Sequence, residues 1–441
     1  MSPRLVGVVF TAIALGACDT ISSLFDEEDD DPFEGQRVSV LALDPVPEAD
    51  PRIQDLIVRL PPPQTTIHWP QLGGFPDHAM HHLLTDGPLE EIWSAGIGEG
   101  SSDEFQLAAI PVVANGQIYA MDAEGLVSSF AVADGEELWQ IQSVPEDEEE
   151  DALGGGLAYY RGRLFVTTGA GDVLALDGAD GNEIWRKRVG APLRAAPTVS
   201  NGRLFTVSND NKLYALDIDD GRELWTHQGI SETARLFGAA SPAVSEDIVI
   251  AAYSSGEIFA LQVENGRTVW SDALSFAGRV STLGSLSDIN GSPVIDQGQV
   301  LALSHAGRLV AIDLRRGNRL WEQELAGTQM PWVAGDFLFV MTVNSEILCL
   351  SRRDGRIRWV RPLTRFEDPE DRTGEIFWSG PLLVSDRLIV VSSRGDALSV
   401  SPYTGDILGR IEFPDGVELA PIVADGTVYV LTNEGEIVAL K

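Results

Sequence analysis

Four histidines near the amino terminus are the residues whose type and spacing best suit metal chemistry. His78, His81 and His82 follow one another closely, and His68 lies nearby. Histidines at such spacing on a helix could hold a metal ion, but no carboxylate or cysteine at ligand spacing completes the set. The alternative is a segment that caps the folded body, and the sequence favours this cap over a metal site. Because no Ser/His/Asp or phosphate-loop arrangement stands out, it predicts no catalytic residue either.

Cys18 has the clearest covalent chemistry in the chain. It follows one basic residue, Arg4, then an apolar stretch from Leu5 to Leu15 and two small residues, which is typical of a short signal peptide. The sequence Leu-Gly-Ala-Cys resembles the bacterial lipobox, in which the cysteine sulfur receives diacylglycerol and cleavage then exposes an amine for acylation. We therefore expect a signal peptide over residues 1–17 and a lipid anchor at Cys18. Several acyl chains on one residue anchor stably, since each buried methylene contributes about 0.8 kcal/mol.

The segment after Cys18 affects which membrane the protein is sent to and how far the folded body lies from it. Asp19 follows the cysteine, and in enterobacterial lipoproteins an aspartate there favours the inner membrane, so both membranes stay open. Residues 18–66 are acidic and proline-rich, with the runs Asp26–Asp31 and Leu60–Pro63. Such a composition predicts a solvated, extended tether. The folded body is then expected over residues 67–441.

The charge and the second cysteine limit the function classes. Acidic residues outnumber basic ones 67 to 31, which gives a net charge of −36. A protein that binds nucleic acid needs a basic face to neutralise phosphates, so the sequence predicts no nucleic-acid partner. Cys349 lies in the apolar run Glu346–Leu350 and is interpreted as a small buried hydrophobic residue. With one cysteine in the body, no disulfide framework is expected.

One recurring pattern predicts the fold of the body. Each copy has a glycine turn, an apolar strand, a polar turn, a second apolar strand and then Gly-x-x-x-Trp, as in Asn201–Trp225. An upstream strand such as Ala196–Ser200 makes four strands per copy. Alternating strands separated by Gly and Asn/Asp turns are typical of β-hairpins, and units of about 40–45 residues are typical of propeller blades. The tryptophans expected to dock neighbouring blades are Trp93, Trp139, Trp185, Trp225, Trp270, Trp321 and Trp359, with Leu408 in the next slot.

The two ends of the body predict how the propeller closes. The last copy, Ala420–Lys441, stops after three strands, and a solitary fourth-strand ending, Leu89–Trp93, precedes the first full repeat. Joining them completes a blade and removes open sheet edges. The predicted fold is all-β: a single eight-bladed β-propeller with four antiparallel strands per blade, whose last blade is closed by the N- and C-terminal strands.

The repeat Ala-Leu-Asp-x-x-x-Gly-x-x-x-Trp resembles the propeller repeats named after pyrroloquinoline quinone, which two families carry. One family is the quinoprotein alcohol and glucose dehydrogenases, but the adjacent cysteines of the alcohol-oxidising branch and the large inserts around the cofactor are missing here. The other is the BamB family of lipoproteins, which the compact body resembles over nearly the whole mature chain. This resemblance implies a non-enzymatic scaffold without a cofactor. It would lie at the periplasmic face of the outer membrane and bind BamA and other subunits of the β-barrel assembly machine. A quinoprotein-like dehydrogenase and a scaffold of another envelope complex are the alternatives.

Two loops carry the BamA contact in that family. The family form Leu-Ser-Leu-Arg-Gly-x-x-x-Pro is similar to Ala234–Pro242, and Leu-Ser-Asp-x-Asp-x-x-Pro is similar to Leu286–Pro293. Phe237 stands at the arginine position and Asn290 at the second aspartate, so the charges differ from the family pattern. The partner-binding residues that the resemblance implies are Arg235, Leu236, Phe237, Asp288 and Asn290.

The longest inter-blade loops predict which face binds a partner. Residues 271–291 and 361–379 each join the outer strand of one blade to the inner strand of the next, so both emerge on one face. The loop 140–156 is of the same class, and its acidic run Glu146–Asp151 is interpreted as a solvated excursion. Because binding residues concentrate on loops held by a rigid scaffold, this elaborated face is the expected binding surface.

Overall fold

The computed structural model describes residues 46–145, 154–232, 238–274 and 288–441. Pro47–Lys441 form one compact unit. These four ranges contain no α-helix, and hence none that is long and apolar enough to span a membrane. The predicted signal peptide, Cys18 and Asp19 lie outside the described residues, and so do Arg235, Leu236 and Phe237.

Eight four-stranded antiparallel sheets form the blades of a β-propeller, which confirms the predicted fold. The first strand, β1 (Glu91–Gly96), precedes blade 1, which contains β2 (Val112–Ala114), β3 (Gln117–Met121), β4 (Leu126–Ala131) and β5 (Glu137–Gln142). Blade 2 contains β6 (Gly155–Tyr160), β7 (Arg163–Thr168), β8 (Asp172–Asp177) and β9 (Glu183–Arg188). Blade 3 contains β10 (Thr198–Ser200), β11 (Arg203–Ser208), β12 (Lys212–Asp217) and β13 (Glu223–Gln228). Blade 4 contains β14 (Ala243–Ser245), β15 (Ile248–Ala252), β16 (Glu257–Gln262) and β17 (Thr268–Ala273).

The second half of the chain repeats this plan with one addition. Blade 5 contains β18 (Val294–Asp296), β19 (Gln299–Leu303), β20 (Leu309–Asp313) and β21 (Arg319–Gln323). Blade 6 contains β22 (Trp332–Ala334), β23 (Phe337–Met341), β24 (Glu346–Ser351) and β25 (Ile357–Pro362). A separate hairpin of β26 (Phe366–Asp368) and β27 (Thr373–Glu375) follows. Blade 7 contains β28 (Trp378–Val384), β29 (Arg387–Ser392), β30 (Asp396–Val400) and β31 (Ile407–Glu412), and blade 8 contains β32 (Ile422–Ala424), β33 (Thr427–Leu431) and β34 (Glu436–Leu440) together with β1.

The position of a strand in its blade determines its hydrophobic pattern. Second and third strands are covered on both faces by neighbouring blades, so they are near-continuous apolar runs, as in β24. Cys349 in that strand is fully buried, and burial raises the pKa of its thiol well above the ordinary value. Outer strands have one blade edge towards solvent, so exposed and partly buried residues alternate, as in β9.

Blade 8 is closed by both chain ends, as predicted. Strand β1 pairs antiparallel with β34, with Trp93 opposite Ala439. Beyond the strands, the Lys441 N–H donates to the Glu90 carbonyl at 2.9 Å and the Glu90 N–H donates to the Lys441 carbonyl at 3.0 Å. Glu90 and the carboxyl-terminal Lys441 therefore occupy the place of the turn that joins the third and fourth strands in the other blades.

Each of the seven predicted tryptophans reaches into the next blade of the ring. The indole N–H donates to a backbone carbonyl after the third strand of that blade; for example, Trp225 donates to Val263 at 3.0 Å. The indole ring covers a glycine in the same turn, and a Cβ added to Gly266 would lie 2.5 Å from Trp225 Cε3. The other indoles donate in the same way: Trp93 to Val132, Trp139 to Gly178, Trp185 to Ile218, Trp270 to Leu314, Trp321 to Arg352 and Trp359 to Pro402. We call each of these contacts a tryptophan latch.

The residue in the eighth latch position is Gly409, so the expectation of Leu408 was wrong. In β31, Gly409 lies opposite Ser399, and the register then shifts. In blade 6 Trp359 lies opposite Cys349 with the same shift after it. Leu408 is the bulged residue before that position, and its side chain is exposed.

Residues 64–86 form a strap that makes one circuit around the propeller axis. Its two ends pair, since the Gln64 N–H donates to the His82 carbonyl and the Leu84 N–H donates to the Gln64 carbonyl, both at 2.9 Å. Between its ends the strap hydrogen-bonds to every blade in turn, from blade 8 through blades 1 to 7 and back to blade 8. The blade residues that it meets are Asp425, Val113, Tyr159, Val199, Val244, Ile295, Trp332, Leu383 and Gly426, in that order.

The strap defines two faces of the propeller. Asp425 and Ser385, which bond to it, directly follow the first strands of blades 8 and 7. The strap thus contacts residues within the first strands or directly after them. We call the end of the ring at the carboxyl ends of these strands the strap face. The inter-blade loops enter at the amino ends of those strands, and we call that end of the ring the loop face.

Apolar packing also holds the strap in place. Trp69 stacks on Trp332 of blade 6 with ring centroids 6.4 Å apart, and burying such an apolar side chain contributes roughly 2 kcal/mol.

The compact unit begins earlier than the predicted boundary at residue 67. The Asp50 N–H donates to the Ile357 carbonyl at 2.8 Å, and Arg358 Nε donates to the Leu56 carbonyl at 2.7 Å. Residues 50–56 therefore lie along the outer strand of blade 6 and cover part of a sheet edge. The carboxyl-terminal part of the predicted tether thus packs on the propeller, whereas residues 18–45 lie outside the described residues.

Candidate partner-binding surface

The described ends of the two candidate loops lie side by side on the loop face. The Ser241 N–H, just before blade 4, donates to Ser292 Oγ, just before blade 5, at 2.9 Å. A Cβ added to Gly238 would lie 3.3 Å from the Asn290 side-chain nitrogen, and the φ of Gly238 is +97°. The structure thus brings together the described ends of the two segments that the family resemblance implies. Their adjacency comes from the ring, because each loop leads into the first strand of one of two neighbouring blades.

Asp288 and Asn290 have different surroundings. Asp288 is only 3% exposed, and its carbonyl accepts the His305 N–H of blade 5 at 2.9 Å. Ile289 packs in the core between blades 4 and 5 and fixes this segment to the ring. Asn290 is half-buried beside Gly238. Asp288 is therefore placed to support the loop, while Asn290 lies closer to the surface.

The base of the first loop carries an exposed apolar residue that the sequence did not single out. Ile230 is 61% exposed, although its backbone is fixed: the N–H donates to Glu257 Oε2 at 2.7 Å and the carbonyl accepts Asn211 Nδ2 at 2.6 Å. Tyr253 and His227 support this base, with 2.8 Å between His227 Nδ1 and the Tyr253 hydroxyl. Burial lowers the pKa of His227 below its ordinary value, which favours the neutral imidazole. A rigid base that presents an apolar side chain suits recognition of a protein surface.

The third long loop contains a hairpin instead of irregular chain. Strands β26 and β27 pair between blades 6 and 7, within residues 361–379. The Asp368 side chain accepts the N–H groups of Glu370 and Asp371 at 3.0 and 3.1 Å, which stabilises the turn. Phe377, directly after the hairpin, is exposed. The loop face is therefore elaborated at this junction as well, at a distance along the ring from the two candidate loops.

The clustered histidines belong to the strap, where each makes a separate structural contact. His78 Nδ1 donates to the Pro293 carbonyl at 2.7 Å. His82 Nδ1 donates to the Pro61 carbonyl at 2.8 Å, and its Nε2 accepts the Asp386 N–H at 3.0 Å. His81 Nε2 lies 3.5 Å from Asp296. Within the part of the chain that the structure describes, no group of three His, Cys, Asp or Glu side chains is arranged to hold a metal ion.

Lowering the pH is expected to destabilise the protein through His78. Burial lowers the pKa of His78 from 6.5 to about 4. Between these values the unfolded chain binds a proton that the folded protein does not, so the free energy of unfolding falls as the pH drops. Burial raises the pKa of Asp77, which acts in the opposite direction. A variant must therefore isolate the contribution of the histidine.

His78→Asn removes this titration and keeps a residue type that tolerates the φ of +63° at this position. Urea denaturation at about pH 7.5 and about pH 5 should show that the wild type loses roughly 1–2 kcal/mol more than this variant. Equal losses in both proteins would contradict the assignment to His78.

Comparison with known sequences identifies the family. A family model described as "Outer membrane protein assembly factor BamB" matches residues 123–361, more than half of the chain. Proteins of that name from Salmonella typhimurium and Escherichia coli are each 29% identical over 79% of this chain and 88% of their own length. The protein of that name from Xanthomonas campestris is 29% identical over 80% of this chain and 86% of its own length.

Solved structures agree on the fold. BamB from Moraxella catarrhalis superposes with a TM-score of 0.67 at 19% identity, over 80% of this chain and all of that one. The quinohemoprotein alcohol dehydrogenase from Comamonas testosteroni has a TM-score of 0.64 at 12% identity, over 86% of this chain and 81% of that one. Structural similarity at such low sequence identity shows that the propeller fold is shared. It does not show a shared function, which depends on the residues of the site. On the match of more than half of its length, this chain belongs to the BamB family of outer membrane protein assembly factors.

Proposed function

We propose that this protein is a non-enzymatic scaffold lipoprotein of the outer-membrane β-barrel assembly machinery. It binds BamA and thereby aids the assembly and insertion of outer-membrane β-barrel proteins. The names of its relatives support a role in this assembly process, since each relative is called an outer membrane protein assembly factor. The observation that carries the proposal is the adjacency of Gly238 and Asn290 at the bases of the two candidate loops.

In the proposed contact, apolar side chains supply affinity and polar groups supply orientation. Leu236 and Phe237 are the apolar anchors, with Ile230 at the rim, because buried aromatic and aliphatic side chains dominate most protein interfaces. Arg235 and Asn290 would pair with polar groups of BamA. Asp288 acts indirectly, since its burial places it behind the surface. The charge lost at Phe237 and Asn290 makes this contact more apolar than the family pattern.

The proposed location is the periplasmic face of the outer membrane, with the lipid on Cys18 as anchor. Residues 18–46 would let the propeller sit up to about 100 Å from the lipid when fully extended. A reach of this size lets the loop face meet periplasmic domains of BamA and other subunits of the machinery. Asp19 leaves the inner membrane as the alternative address.

Recovery of BamA from membranes tests the proposed contact. The variant Leu236→Ala with Phe237→Ala should recover at least about tenfold less BamA than the wild type in mild detergent, because it removes both apolar anchors. Phe75→Ala is the matched control, since Phe75 is an aromatic residue of the strap that is 49% exposed and belongs to neither candidate loop. It should leave recovery unchanged.

The other outcomes have definite meanings. Wild-type protein that recovers no BamA would overturn the proposal, and recovery of a different envelope complex would favour the alternative scaffold role. An equal loss of BamA with Phe75→Ala would show that the contact is not confined to the two candidate loops.

A further inference from the structure

The junction between blades 7 and 8 lacks the latch found at the other blade junctions. Gly409 occupies the latch position of blade 7, so no indole N–H extends from β31 towards blade 8. The turn that such an indole would cover is also absent, because the third and fourth strands of blade 8, β34 and β1, come from separate segments of the chain. Gly87 and Lys441 fill that place, and a Cβ added to Gly87 would lie 2.9 Å from the Lys441 carbonyl carbon. Both halves of the latch are therefore missing at this junction.

The strap bonds to blade 7 immediately beside this junction. The Leu83 N–H donates to the Leu383 carbonyl at 3.2 Å, and the Ser385 N–H donates to the Leu83 carbonyl at 2.9 Å. The Ser385 hydroxyl accepts the Thr85 N–H at 2.9 Å and lies 3.1 Å from the Thr85 carbonyl. Leu83 is buried in the same apolar cluster as residues of both blades.

The strap bonds to blade 8 with residues on either side of that contact. The Asp425 N–H donates to the Thr66 carbonyl at 2.7 Å, and the Asp86 N–H donates to the Gly426 carbonyl at 2.9 Å. Lys441 Nζ lies 3.4 Å from the Asp86 carboxylate. Residues of one continuous segment thus hold both blades of the junction that has no tryptophan latch.

We propose that the strap is the latch of the junction between blades 7 and 8. It holds these blades together in place of the missing indole, so the ring opens there only when the strap detaches. At the junctions between blades 1 to 7 and between blades 8 and 1, strap contacts are added to a tryptophan latch. Loss of strap contacts beside Leu83 therefore weakens one junction selectively.

Two matched cysteines report opening at two junctions. Val428 and Val249 are fully buried at equivalent positions in the second strands of blades 8 and 4. Val249 packs with Trp225 in the cluster between blades 3 and 4, which has a latch. Val428→Cys places a thiol at the corresponding side of blade 8, towards blade 7. Cys349, also fully buried, is an internal reference in every sample.

The measurement is the rate at which iodoacetamide labels each thiol in the full mature protein, read by peptide mass spectrometry. Leu83→Ala should speed labelling at Val428→Cys by at least about tenfold and change labelling at Val249→Cys by less than about twofold. Trp225→Phe should have the opposite selectivity, because it removes the indole N–H between blades 3 and 4.

A second strap variant keeps the test decisive if Leu83→Ala does not fold. Ser385→Ala removes only the hydroxyl that bonds to Thr85 and should speed labelling at Val428→Cys by about threefold. Equal acceleration of both thiols, or no acceleration at Val428→Cys with either strap variant, would overturn the proposal.

Discussion

Replacing Trp359 with alanine is expected to lower the free energy of unfolding by about 3–5 kcal/mol. Trp359 is 6% exposed, its indole N–H donates to the Pro402 carbonyl at 3.1 Å, and its ring covers Gly405. Alanine leaves a cavity between blades 6 and 7 and a carbonyl without its donor. Urea denaturation followed by circular dichroism at neutral pH measures the loss.

Two controls separate the parts of this latch. Trp359→Phe keeps most of the apolar surface and should cost about 1–2 kcal/mol, mainly for the lost hydrogen bond. Gly405→Ala and Gly202→Ala both place alanine at a positive φ, of +76° and +80°. Only at Gly405 does the added Cβ meet an indole, 2.8 Å from Trp359 Cε3, whereas the space beside Gly202 is open. Gly405→Ala should therefore cost more, and equal costs would show that the indole contact contributes little.

Cys18→Ser is expected to abolish membrane association of the protein. Serine has no thiol to receive diacylglycerol, so the precursor would lack the lipid and the processing that depends on it. Fractionation of cells and the mass of the mature amino terminus measure the effect. Cys349→Ser is the matched control, because that thiol is buried in blade 6 and takes no part in anchoring.

An unchanged membrane fraction after Cys18→Ser would refute the anchor. For the wild type, separation of inner and outer membranes on a density gradient resolves the question raised by Asp19.

The blades were predictable because their signals are local and repeated. The spacing from Gly221 to Trp225 recurs in blade after blade and reports a turn followed by an outer strand. The same spacing counted from Gly405 leads to Gly409, so the correct residue of the eighth latch position was available from the sequence. The error of one residue matters because a bulge in each outer strand places successive residues in different environments.

The strap was not predictable in the same way, because it has neither strand nor helix periodicity. Its partners lie on eight different blades, and such contacts leave no pattern within residues 64–86. The histidine cluster gave the only hint, and its interpretation as a capping segment agrees with where His78 and His82 lie. The burial of Asp288 was also inaccessible, since it depends on packing against blade 5 and not on neighbouring residues.

The circuit of the strap has a consequence for the order of folding. Thr85 and Ser385, which bond directly, are 300 residues apart in the chain. Contacts of such long sequence separation form late, because the entropy of closing the intervening loop is lost before the contact is gained. The segment that is synthesised before every blade can thus complete its docking only when the last blade has formed. We expect this protein to fold slowly and to hold its final closed state with a high kinetic barrier to unfolding.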